Sequence, residues 1–242
     1  MAKVQAFEVA PVTSTPKTET LIQFILDETG SMNSCLDSTI SSFNEYIDSQ
    51  KSVDENGVPC FINLTKFSET HGSLYRSPSV WTERTTVDKV RHVQTRCPLW
   101  DMMHLTKNTF TPSGGTNLYD AIGATIQKLD SQIRTDQNVL VVIITDGEEN
   151  CSKEYTLDAI RSMIQERTAK GWTFVYLGAN QDAWKVGAGF GLSKGQTMAY
   201  STADMKGTMA TLSAATTSYR SARGLNASVG TDFGFFTGEE DK

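Results

Sequence analysis

The stretch LIQFILDETGSMNS, Leu21–Ser34, decides how the chain is read. An apolar run from Leu21 to Leu26 ends in an acid, Asp27; a second acid, two hydroxyls, Gly30 and a helical pattern follow. A strand covered on both faces reads as a near-continuous apolar run. That places Asp27 at the carboxyl end of a buried strand, 21–27. A single acid there has an ordinary structural reading, the cap of the next helix. The rest of the chain decides between that and a functional role.

A second run of the same kind, NVLVVIIT from Asn138 to Thr145, ends at Asp146. Around these two strands, helical spacing groups Leu36, Ile40, Phe43 and Ile47 within 33–50; Ile122, Ile126, Leu129 and Ile133; and Leu157, Ile160 and Ile164, the last set closed by Gly171 as a left-handed cap. CFINLTKFS (Cys60–Ser68) and WTFVYLGA (Trp172–Ala179) read as strands, with an edge strand near Gly72–Arg76. A short helix from Gln181, a strand near Met198–Tyr200 and a helix from Asp204 to Ala222 complete the pattern. Residues 77–113 show no clear element beyond a helical turn at Trp100–Leu105. Strands alternating with helices predict a doubly wound, mostly parallel α/β sheet with helices on both faces. The organisation expected is a flexible arm over 1–20, one domain over 21–224 and a tail over 225–242, loose at its GEEDK end.

The chain has 242 residues, 38% of them apolar and 21% charged, with a net charge of -6. That is enough chain for a large core, and the acidic balance disfavours broad contact with nucleic acid or an anionic membrane. No apolar stretch approaches the roughly 20 residues of a membrane span, and the first twenty residues lack the apolar core of a secretory signal. The expected location is cytoplasmic. Cys35, Cys60, Cys97 and Cys151 have no CxxC spacing and are expected to be free thiols. His71, His92 and His104 are not spaced as zinc ligands. GAGFG, Gly187–Gly191, lacks phosphate-loop spacing and reads as helix-end glycine. Trp81, Trp100, Trp172 and Trp184 are expected in or beside the core.

In open α/β sheets, ligands bind outside the carboxyl ends of the strands, at the switch point. Three loops at that edge carry matching chemistry: Asp27, Thr29 and Ser31 in DETGS, Thr116 in GGTN, and Asp146 in TDG. Carboxylate and hydroxyl oxygens are hard ligands suited to Mg²⁺. A cation there would also relieve repulsion among Asp27, Glu28, Asp146, Glu148 and Glu149, the glutamates being read as a solvated rim.

These residues resemble the von Willebrand factor A domain and its metal-ion-dependent adhesion site, Asp-x-Ser-x-Ser followed by a Thr and an Asp, with Thr29 in place of the first Ser. The resemblance runs from about Leu21 to Ala222. GGTNLYDAIG, TDGEEN, YLGANQDA and LSAATTSYR are similar to compact single-domain forms encoded by bacteria and phages, which implies host cytoplasm or a virion as the setting. The family implies Mg²⁺, or Mn²⁺ or Ca²⁺, held by Asp27, Thr29, Ser31, Thr116 and Asp146. It implies a protein partner that supplies an Asp or Glu, and no catalysis. Two other readings compete: a haloacid-dehalogenase-like Mg²⁺ phosphotransferase, which usually carries a second Asp where this chain has Thr29, and a structural component of a virion or assembly.

Overall fold

A computed structural model describes residues 19–53, 59–69, 90–134, 136–179, 182–224 and 234–236. The elements run β1 (Glu19–Asp27), α1 (Leu36–Val53), β2 (Cys60–Phe67), β3 (Val90–Pro98), α2 (Leu118–Asp130), β4 (Gln137–Thr145), α3 (Leu157–Ala169), β5 (Thr173–Ala179), α4 (Ala183–Gly189), β6 (Thr197–Tyr200) and α5 (Met205–Gly224).

Among the described residues six strands form one sheet in the order β3-β2-β1-β4-β5-β6, parallel except for β3, which runs antiparallel to β2. This is the doubly wound, mostly parallel architecture expected from the sequence. The chain winds outward from β1 to β3, then returns to place β4 on the other side of β1. The switch point therefore lies between β1 and β4.

β1 and β4 are buried along their whole length. Alternate residues serve opposite faces. Ile22, Phe24, Leu140 and Val142 pack under α1 and α5, where Phe24 meets the rings of Phe43 and Tyr46 edge-on at 5.3 and 5.1 Å. Leu21, Ile25, Val141 and Ile143 pack on the opposite face with residues of α2, α3 and α4. At the end of α3, Gly171 has φ +89°. The amides of Gly171 and Trp172 bond to the carbonyls of Thr168 and Arg167, the double closure that a left-handed residue permits.

Several expectations are revised. The helix after Asp27 does not begin at Asn33: a 3-10 turn over Gly30–Cys35 comes first, and α1 starts at Leu36. The helical turn near Trp100 is a 3-10 turn at Leu99–Asp101, and Trp100 is 64% exposed rather than core. Trp172 is buried and Trp184 half-buried. β3 arises inside the stretch where the sequence showed no element. The expected edge strand at 72–76, the 1–18 part of the arm, Trp81, and the tail at 225–233 and 237–242 lie outside the described residues. Between those last two segments, Gly234–Phe236 rejoins the body: Phe235 is buried with its ring 6.0 Å from that of Tyr219, and Phe236 N–H donates to Gly195 O at 2.9 Å. The four cysteines are free. Gly187 serves packing: a Cβ there would lie 2.4 Å from Thr197 Oγ1. Among the described residues no helix is long and apolar enough to cross a membrane.

Candidate functional site

Asp27 and Asp146 leave adjacent parallel strands at the switch point. Asp27 is the last residue of β1 and Asp146 follows the last residue of β4. Asp27 is fully buried. Its Oδ1 accepts from the Thr29 amide at 2.7 Å, and its Oδ2 accepts from Thr145 Oγ1 at 2.5 Å. The amide bond turns the chain back on the carboxylate and brings the next hydroxyls to it. Thr29 Oγ1 lies 3.1 Å from Ser31 Oγ, and Ser31 Oγ donates to Asp146 Oδ1 at 2.6 Å. Hydrogen bonds thus run from Asp27 through Thr29 and Ser31 to Asp146, the last step spanning 115 residues of sequence.

Thr116 enters from the second loop. A Cβ built on Gly147 would lie 2.9 Å from Thr116 Oγ1 and 3.6 Å from Ser31 Oγ. The missing side chain at Gly147 therefore leaves the space between these hydroxyls open. Backbone bonds fix the loops to one another. Gly30 N–H donates to Gly114 O at 3.0 Å, Ser113 N–H to Glu28 O at 3.0 Å, and Asn150 N–H to Thr116 O at 3.0 Å. Asn150 Oδ1 accepts from the Thr116 amide at 2.9 Å. All five residues anticipated from the sequence thus sit on three loops that are mutually tied.

No known family's sequence profile matches the chain, and no curated protein matches it. Solved structures do. The pilus adhesin SpaC from Lactobacillus rhamnosus GG aligns over 84% of this chain and 30% of its own, at 10% identity and a TM-score of 0.59. Proximal thread matrix protein 1 from the mussel byssus aligns over 80% of this chain and 47% of its own, at 13% identity and a TM-score of 0.53. The VWA domain of SpRpn10 aligns over 76% of this chain and 87% of its own, at 11% identity and a TM-score of 0.47. The chain has the von Willebrand factor A fold. At these identities the likeness concerns fold, and the chain spans less than half the length of the adhesin and of the matrix protein.

The acids around the candidate site do not all play the part expected of them. Glu28 is fully buried, not a rim residue: its Oε1 accepts from Lys66 Nζ at 2.8 Å and from the Thr111 amide at 2.6 Å. Lys66 also donates to Thr109 O. Glu149 is likewise internal to its loop, taking the Tyr119, Cys151 and Ser152 amides and the Ser152 hydroxyl within 3.0 Å. Each carboxylate bonded by several N–H groups is satisfied where it stands. Glu148 remains exposed, and Glu69, at the end of β2, is a second exposed acid beside this edge. Three residues absent from the sequence reading complete the frame: Thr145, which holds Asp27; Asn150; and Asp120, whose carboxylate receives the amides of Lys153, Glu154 and Tyr155. Their signal in the sequence was weak, because a Thr ending a strand or an Asp in a helix's first turn is ordinary.

Burial raises the Asp27 carboxyl to about 6; bonds from Thr145 and Thr29 hold it down, and the charge of Asp146 adds to the rise. Burial also raises Asp146, opposed by the bond from Ser31. Two carboxyls poised in this way favour occupation by a positive charge. Among the described residues no group of three His, Cys, Asp or Glu side chains is placed to hold a metal; this set is two acids and three hydroxyls. It fits a hard cation on two counts. Asp146 Oδ2 is buried without a hydrogen-bond partner. Neighbouring ligands of an octahedral Mg²⁺ stand about 3 Å apart, close to the 3.1 Å between the Thr29 and Ser31 hydroxyls.

Proposed function

We propose that this VWA domain is a divalent-cation-dependent protein-interaction module whose site takes one carboxylate from a partner protein. The observation that carries the proposal is Asp146 Oδ2: a buried carboxylate oxygen with no partner, on a carboxylate bonded to Ser31 and next to a glycine whose missing side chain keeps the space between the Ser31 and Thr116 hydroxyls open. Leaving such an oxygen unmet is costly, and a cation meets it.

Asp27, Thr29, Ser31, Thr116 and Asp146 would hold the ion, which when bound supplies positive charge for an incoming anion. Asp27 and Asp146 contribute the negative charge, while Thr29, Ser31 and Thr116 are neutral. Two carboxylates and three neutral oxygens leave a hard dication able to accept one further oxygen ligand. Thr145 and the Thr29 amide fix Asp27. Ser31 fixes Asp146 and is itself exposed, so the open side of the site lies there. The exposed acids Glu69 and Glu148 stand near this opening and disfavour a broadly acidic partner. The partner expected is one Asp or Glu displayed on a neutral or basic surface. Nothing in the geometry favours phosphoryl transfer, because the second acid expected of that chemistry is Thr29, whose hydroxyl is engaged with Ser31.

The test is capture of partners from a source lysate on immobilised protein in Mg²⁺ and in EDTA, followed by alanine replacement of single acids in the captured protein. Binding that survives EDTA, or that no single acid of the partner affects, refutes the metal-bridge reading.

A further inference from the structure

A second buried atom without a hydrogen-bond partner belongs to the same edge of the sheet: the hydroxyl of Tyr200. Tyr200 ends β6 and pairs in register with Ala179 of β5, whose preceding residue, Gly178, pairs with Thr145 of β4. Asp146, Ala179 and Tyr200 therefore follow one another across the carboxyl edge. Two strand spacings, about 10 Å, separate the outer backbones, and the residue between them is a buried alanine, small enough for a ring to lie over it. Tyr200 packs on the α1 and α5 side of the sheet, against the core cluster that includes Ile144, Leu177, Met32 and Cys35. The 3-10 turn Thr202–Asp204, just beyond Tyr200, touches the turn Gly30–Cys35.

The two unmet atoms are complementary, since a phenol donates and a carboxylate oxygen accepts. One water can serve both, as buried waters commonly bridge polar groups that lack direct partners. We propose that Tyr200 is a positioning residue of the cation site: through one shared water its hydroxyl donates to Asp146 Oδ2 and holds that carboxylate in place for the ion. The inference rests on the cation-dependent reading above and deepens it by adding a residue from a fourth strand. Burial also pushes the Tyr200 phenol well above its ordinary range, with Cys35, Asp146 and Asp27 as the next contributors in that order. Its hydroxyl end therefore lies in the field of both site acids. With Ser31 on one oxygen of Asp146 and Tyr200 acting on the other, the carboxylate cannot rotate away, and its remaining lone pairs are left for the ion.

The experiment compares wild type with Tyr200→Phe, using Mn²⁺ as the probe in calorimetry, electron paramagnetic resonance of the bound ion at saturation, and thermal unfolding in EDTA. Outer-sphere partners of metal ligands typically contribute about 10- to 100-fold in affinity, so Tyr200→Phe should weaken Mn²⁺ binding by that factor and alter the resonance fine structure. Its melting temperature in EDTA should be unchanged or higher, because the substitution removes a buried unpaired hydroxyl and keeps the ring. Equal affinity and identical spectra would overturn the role of Tyr200 while leaving the cation site standing. A fall in metal-free stability together with affinity, with an unchanged spectrum, would make Tyr200 a packing residue and also overturn it. Absence of Mn²⁺ binding by the wild type would overturn the cation-dependent function itself, and this inference with it.

Discussion

Glu28 Oε1 and Lys66 Nζ lie 2.8 Å apart with both side chains closed off from solvent. The pair joins the first site loop to β2, and through Thr109 O and the Thr111 amide it pins the segment that leads to Thr116. Lys66 also stands 6.0 Å from the centroid of the Phe110 ring. An acid next to Asp27 thus serves the framework, and its charge is already neutralised before any cation arrives.

Breaking one side of this pair leaves a buried charge uncompensated, which typically costs about 3–5 kcal/mol. Lys66→Met should therefore lower the urea midpoint strongly. Glu28→Gln combined with Lys66→Met should cost clearly less than Lys66→Met alone, because no buried charge remains. Equal losses for the single and double variants would show that packing, not charge, sets the effect.

Metal-free stability should fall as pH rises through the acid range. Asp27 titrates near 6 in the folded chain against 3.8 for an ordinary aspartate, so between those values the folded state holds more protons than the unfolded one. The contribution is fully present below about pH 4 and is lost as pH passes 6. At about 1.4 kcal/mol per tenfold change in proton affinity, the loss is on the order of 3 kcal/mol. Divalent affinity should move the opposite way, rising through the same window because the ligand must shed its proton. Urea titrations in EDTA across pH 4–7.5 check this, and Asp27→Asn should flatten the slope.

Phe235 fills the core beside Tyr219 and Phe236 although it lies beyond the last helix. Truncating a buried Phe to Ala costs about 3–5 kcal/mol. Phe235→Ala should lower the melting temperature about as much as removing residues 225–242 altogether. A truncated chain as stable as the full one would show that this contact contributes nothing in solution.

β1 and β4 were legible because a strand buried on both faces has to be apolar throughout, and the acids that end them stand out against that background. β3 was not: Val90–Pro98 is polar in composition and runs at the sheet's edge with irregular register against β2, so neither an apolar run nor strict alternation marks it. The five candidate residues stood out by their place at the carboxyl ends of the strands and by resemblance to the von Willebrand factor A pattern. What spacing could not reveal was which neighbouring acids face outward. Glu28, Glu148 and Glu149 look alike in sequence. They differ only in what closes over them: a lysine from β2 for Glu28, three backbone amides for Glu149, and solvent for Glu148. Thr145 was hidden for a related reason, since its hold on Asp27 is a contact between strands far apart in sequence.

The geometry at Gly147 separates cation binding from folding. Gly147 borders the space between Thr116 and Ser31, where an added methyl would come within 2.9 Å of Thr116 Oγ1. Gly147→Ala should therefore bind Mg²⁺ or Mn²⁺ far more weakly, while in EDTA it melts close to wild type, because only the Thr116 side chain has to shift to admit the methyl. Wild type should gain stability from metal as RT ln(1 + [L]/Kd), about 2.7 kcal/mol at a hundredfold excess over Kd. Gly147→Ala should lose most of that gain. Replacing both Asp27 and Asp146 by Asn should abolish it while raising the metal-free melting temperature, since two carboxyls whose ionised forms burial disfavours are replaced by neutral groups of similar shape. Differential scanning calorimetry of the three proteins, each with and without Mg²⁺, decides the matter. If the double Asn variant melts well below wild type in EDTA, the acids hold the loops together through Thr29, Thr145 and Ser31, and the site is a structural knot rather than a cation seat.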